Sequence, residues 1–166
     1  MPGIDQCLLE AMTLPGARGA ALVDWSSGLA LGTIGESPVG DHETTAAETA
    51  ELARAAAEYE SFASSPETEP DPPAGATTGS TGRSTIGSAA GSATGAAAGS
   101  AARSAAAGLP VEDLIVTTRT GYHVLRFVET SFDSSVFLHL WLDRTDGNLA
   151  LARHRLRALA EGLVLR

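Results

Sequence analysis

The sequence contains no lysine: all eleven basic residues among its 166 are arginine. Schiff-base lysine chemistry and the phosphate-binding lysine of a P-loop are thereby excluded. It has one cysteine, Cys7, so neither an internal disulfide nor a multi-cysteine zinc site can form. At an apolar helical position, a lone cysteine reads as buried packing rather than a nucleophile. No run approaches the roughly 18 apolar residues of a membrane span. The opening Met-Pro-Gly-Ile-Asp-Gln-Cys lacks a basic stretch followed by an apolar one, so no secretory signal is expected and the default location is the cytoplasm. Basic surface is also scarce, with a net charge of −9. Phosphate binding needs a basic surface, so nucleic acid is not an expected partner.

The charge is uneven. Residues 1–63 carry ten acids against Arg18 and Arg54, whereas residues 109–166 carry seven of each sign. The excess of alanine, glycine and arginine over lysine suggests a GC-rich bacterial genome. Between the two regions, residues 64–108 hold Pro66, Pro70, Pro72 and Pro73 among acids and then almost only Ala, Gly, Ser and Thr. Too few large apolar side chains are present there to offset the entropy of ordering, so 64–108 is predicted to be disordered. Residues 1–63 and 109–166 are expected to form one domain, whose loop-closure cost grows only slowly with the insert.

Ile4, Cys7, Leu8, Ala11 and Met12 make one helical stripe, ended by Pro15-Gly16. Gly19–Asp24 and Leu29–Ile34, around Ser26-Ser27-Gly28, read as a hairpin. From Asp41, a plausible cap, to about Phe62 the residues favour a second helix, with Leu52, Ala56, Tyr59 and Phe62 as its apolar face and Glu48, Glu51, Glu58 and Glu60 elsewhere. Leu114–Thr118 is a strand by β-branched content. Tyr122–Val128 alternates, with His123, Leu125 and Phe127 on one face. Val136–Leu142 is apolar on both faces, as in a central strand covered on both sides. Asp143-Arg144-Thr145-Asp146 is predicted to start the last helix, with Leu149, Ala152, Leu156, Leu159 and Leu163 facing inward. The expected class is α+β: three layers, with a five-stranded sheet between helices.

This order of elements resembles the roadblock/dynein light chain family, which belongs with the longin and profilin-like folds. The residues that carry the likeness are the opening helix Ile4–Met12, the hairpin from Ala20 to Gly32, the strand Asp113–Thr117, and the passage from Leu138 to Arg153 through Asp143-Arg144-Thr145-Asp146-Gly147-Asn148. The family connects its halves briefly where this chain has 64–108. The resemblance implies an antiparallel roadblock sheet and a homodimer joined at the edge strand Leu114–Thr118 and the helix beside it. Glu48, Glu51 and Glu58 would then point away from the seam, because unpaired like charges destabilise an interface. The seam residues are expected to be Leu52, Ala56, Tyr59, Leu114, Val116 and Thr118. The resemblance also implies an adaptor for Ras-like small GTPases. Some bacterial relatives stimulate hydrolysis by such a partner without inserting an arginine.

No catalytic, cofactor or metal residue is expected. Gly79-Ser80-Thr81-Gly82-Arg83-Ser84 lacks the lysine and first glycine of a P-loop. Ser26-Ser27-Gly28 is turn chemistry, without the Gly-x-Ser-x-Gly elbow. His123 and His139 fall on strands expected to be neighbours, but no acidic or cysteine ligand joins them, so a structural or surface role is expected. Asp143 and Thr145 are expected to cap or orient the last helix. Arg144, Arg153 and Arg157 are the candidate partner contacts. The alternative to a GTPase regulator or scaffold is a small-molecule sensor or assembly platform; an enzyme using His123 or His139 is a third reading.

Overall fold

The computed structural model describes residues 2–63, 109–129 and 135–164. These fall within one compact unit; residues 64–108, where disorder is expected, lie outside the described residues.

Helix α1 (Pro2–Met12) leads through a turn into strands β1 (Ala17–Asp24) and β2 (Leu29–Gly35). Gly16 turns the chain at φ 76°, a left-handed conformation that side chains resist. Helix α2 (His42–Glu58) begins on Asp41, whose carboxylate accepts from the Thr44 N–H at 2.9 Å. It stops earlier than the sequence predicts: Tyr59 is extended, and a separate 3-10 turn covers Glu60–Phe62. Strands β3 (Asp113–Thr117), β4 (Gly121–Val128) and β5 (Val136–Asp143) precede helix α3 (Leu149–Val164).

The strands form one sheet in the order β2-β1-β5-β4-β3, every neighbouring pair antiparallel. The apolar β5 lies in the middle, as its two-sided hydrophobicity requires. Strand β1 pairs along its length with β5, so the two ends of the sequence meet at the centre of the sheet.

Helices α1 and α3 cover one face. Leu8 and Ala11 of α1 pack there with Leu22, Val124, Leu138, Leu140, Leu142, Ala152 and Leu156. Cys7 belongs to this core, and burial raises its thiol to about 11, which makes it a poor nucleophile. Helix α2 covers the other face with Ala46, Ala50 and Ala53 over Ala21, Val23, Leu125, Phe127 and Phe137. The result is the expected three-layer α+β arrangement.

The start of α3 differs from expectation. Asp143 ends β5 and accepts from the Thr145 and Asp146 N–H groups, closing a turn. The helix begins later, where the Asn148 side chain accepts from the Leu151 N–H at 3.0 Å. Asn is as good a cap as Asp, and the turn at Asp143 leaves Asn148 immediately before the helix.

Candidate functional site

The alanine face of α2 brings the helix close to the sheet, since small side chains permit close approach. Its larger apolar residues do not follow. Leu52 is 42 % exposed, Tyr59 59 % and Phe62 50 %. The sequence grouped them with Ala56 as one apolar face and expected Leu52, Ala56 and Tyr59 at a seam; of the four, only Ala56 is buried in the protomer. Thr45, Ala46, Ala50, Ala53 and Ala56 follow helical spacing on one side, and Leu52 and Tyr59 lie on its flank. The other flank is tied down by Arg54, whose Nη2 donates to the Trp25 carbonyl at 2.8 Å.

Strand β3 is an edge: among the described residues it pairs only with β4. Leu114 packs against the core under α2, Val116 on the same face is 37 % exposed, and Thr118 lies just past the strand. The Thr118 hydroxyl accepts from the Gly121 N–H at 2.9 Å, closing the β3–β4 turn. Helix α2 packs chiefly on β1 and β2, so the β3–β4 end of this face is left partly open.

Two histidines sit under that opening. Val116 is opposite His123, which is opposite Trp141, and His139 stands two residues along β5 beside Leu125. His123 Nδ1 and His139 Nε2 approach to 3.1 Å, with the rings 5° from parallel and their centroids 5.4 Å apart. The centroid separation exceeds the nitrogen separation by about two ring radii. The imidazoles therefore meet end to end in one plane, with one N–H between them. Nitrogens that point head-on at each other do not converge on a metal, which separates this pair from a chelating site. His139 is buried, and its pKa is depressed to about 3 by that burial and then by the neighbouring His123. His123 is half-buried and is lowered by burial. Beyond His123 lies Trp141, whose ring carries the Arg18 guanidinium 4.1 Å from its centroid. Arg18 is held in turn by Glu36 at 2.8 Å. Opposite Trp141, β1 offers Gly19, where a Cβ would collide with the Glu36 carbonyl.

Solved structures show what this arrangement is similar to. Myxococcus xanthus MglB superposes with a TM-score of 0.62 at 14% identity, covering 99% of this chain and 86% of that one. The gliding protein MglB from Thermus thermophilus gives 0.59 at 14% identity, covering 99% and 87%. A Roadblock/LC7 domain from Streptomyces avermitilis gives 0.55 at 12% identity, covering 96% and 92%. The chain has the roadblock fold. No family model matches its sequence, and no curated protein does; at such identities the likeness is one of architecture.

On this roadblock scaffold the three candidate arginines stand apart. Arg144 is exposed at the end of β5, with its guanidinium 4.8 Å from the Tyr122 ring centroid. Arg157 is exposed and pairs with Glu161 one turn on. Arg153 is already engaged inside the protomer: two of its nitrogens donate to Asp113 at 3.1 and 3.2 Å. Asp113 also meets Arg126 at 3.4 Å, and both of these side chains are largely buried. The network joins α3, β4 and the edge strand β3. The partners are 40 residues apart in sequence, which is why sequence spacing could not reveal it.

The cavity beside His139, lined also by Trp141, Thr45, His42 and Glu36, has room for little more than water. Among the described residues no group of three or more His, Cys, Asp or Glu could hold a metal, and no helix is long and apolar enough to cross a membrane.

Proposed function

We propose that this chain is a homodimeric, non-enzymatic regulator or scaffold for a bacterial Ras-like small GTPase, acting in the cytoplasm by surface contact. The observation that carries the reading is the free β3 edge beside exposed Leu52, Tyr59 and Val116, on a fold shared with MglB. An open strand edge next to a large apolar surface is a standing template for association. Pairing two β3 edges would extend the sheet across two protomers, with Leu52 and Tyr59 meeting beside Leu114 and Val116. Ala56 would support the seam from beneath, and Thr118 would mark its end. Glu48, Glu51 and Glu58 stay exposed on α2, and Glu48, one turn before Leu52, stands on Leu52's side of the helix rather than away from it. Exposed Arg144 and Arg157, and the outer part of Arg153, are the cationic contacts offered to the GTPase.

The test is a binding and hydrolysis assay with the Ras-like GTPases of the same cell, loaded with GDP or a GTP analogue. Nucleotide-dependent binding, or a changed hydrolysis rate, supports the regulator. Failure to bind any of them in either state rejects it. The sensor reading has less support, because the described cavity admits little more than water.

A further inference from the structure

The buried histidine pair is unused by the function above, yet it adjoins the surface that function needs. We infer that pairing of two protomers is proton-linked: a proton taken up by the His123–His139 pair weakens the dimer. The inference rests on the homodimer reading and names a regulation of that same seam.

The geometry allows the pair to carry one extra proton on either ring, and burial of His139 favours the arrangement with the charge on His123. His123, protonated on both nitrogens, donates Nδ1–H to His139 Nε2, and the added proton sits on His123 Nε2. Two added protons would place N–H against N–H at 3.1 Å and break the contact. Because His139 is the more deeply buried, the charge rests on His123, the ring nearer solvent, while His139 stays neutral between the sheet and α2.

His123 lies opposite Val116, a residue of the free edge strand that remains partly exposed in the protomer. A second copy seated on β3 and α2 covers that opening. It removes water from around His123 and raises the cost of its charge. A state that tolerates the proton less well binds it less, so acid favours separated protomers.

The charged groups around the pair are mixed in sign: the Arg18 guanidinium disfavours a cation on His123, whereas the carboxylates of Glu36 and Glu48 favour one, so burial sets the direction. From β5 and β1 come Trp141 and the Arg18 guanidinium on its ring, with Arg18 held by Glu36. From β3 comes apolar Val116. From α2, His42 and Thr45 line the cavity beside His139, and Glu48 is exposed one turn before Leu52. Burial is the cause that lowers His123.

The experiment is sedimentation equilibrium of the full chain between pH 7.5 and 5.0 at constant ionic strength, with circular dichroism at each pH confirming the fold. The dimer dissociation constant is expected to rise on acidification, by up to roughly tenfold per pH unit for each proton linked. His123→Gln can still hydrogen-bond His139 but cannot titrate, and it should flatten the dependence. A pH-independent wild-type dimer, or an unchanged slope in His123→Gln, overturns the linkage and leaves the dimer standing. A chain that is monomeric at every pH overturns both. Should the variant fail to fold, NMR titration of His123 in dilute and concentrated wild-type samples gives the same answer. A lower pKa in the concentrated sample supports the linkage, and equal values overturn it.

Discussion

The two faces of the sheet are built differently. Beneath α1 and α3 the strands present Leu22, Val124, Leu138, Leu140 and Leu142, none more than 4% exposed. Beneath α2 they present Ala21, Val23, Leu125 and Phe137, but also His139, His123 and Trp141. Two helices close the first face with leucines. One helix with an alanine face addresses the second, and it leaves its own Leu52 and Tyr59 outside. The first face has the composition of a core that need only be stable. The second mixes small residues, polar rings and an open margin, a composition that holds the chain together less tightly and leaves surface for association.

The largest effect should come from breaking the closed face. Leu140→Ala empties a site with no exposure and is expected to cost roughly 2–5 kcal/mol in a denaturant titration. The matching change on the other face, Leu52→Ala, removes an exposed side chain and should stay within about 0.5 kcal/mol. Equal losses would mean that the faces do not differ.

Asp113→Asn comes next. It leaves Arg126, whose side chain is 13% exposed, without its nearest buried carboxylate. Arg126 Nε has no partner even in the native network. A loss of roughly 1.5–3 kcal/mol is expected from thermal or denaturant unfolding, together with faster amide exchange in β3, which the network fastens to α3.

Between pH 7.5 and 5.0, acid should act through the histidines of the second face. The folded pKa of His139, about 3, and that of His123 both lie below the ordinary histidine value of 6.5. The unfolded chain then binds more protons below that value. Stability is full above about pH 6.5 and declines as pH falls toward the folded values. Melting curves at pH 7.5 and 5.0 measure this decline. His139→Gln should reduce it, whereas Leu140→Ala should leave the slope unchanged.

Most of the architecture was legible in the sequence, because it follows from periodicity. The two-sided apolar run from Val136 to Leu142 specified a central strand, and the alternation of Tyr122–Val128 specified which residues share His123's face. The side of α2 that packs on the sheet was not singled out, because the apolar face was drawn through its large residues and the small ones were passed over. Four alanines make the contact, and Leu52, Tyr59 and Phe62 point out. The site was less legible for a physical reason. That His123 meets His139 depends on the register of β4 against β5, and that Arg153 meets Asp113 depends on how α3 lies over β3. Neither is a property of local spacing.

The smallest stability change with the largest functional consequence is Leu52→Glu. The side chain is already in water, so the melting temperature should barely move, while two added charges at a seam of two copies should abolish pairing in sedimentation. A dimer that survives would move the interface away from this face.

The pairing of β1 with β5 makes the chain a molecule in two parts. The first 63 residues contribute α1, β1, β2 and α2, and the residues from 109 contribute β3, β4, β5 and α3. Neither part encloses a core alone, because α1 and α3 share one. Every strand pairing described survives a cut anywhere from 64 to 108. Two peptides divided there are expected to reconstitute the fold, and the pairing of β1 with β5 spans more than half the sequence, a long-range contact of the kind that slows folding.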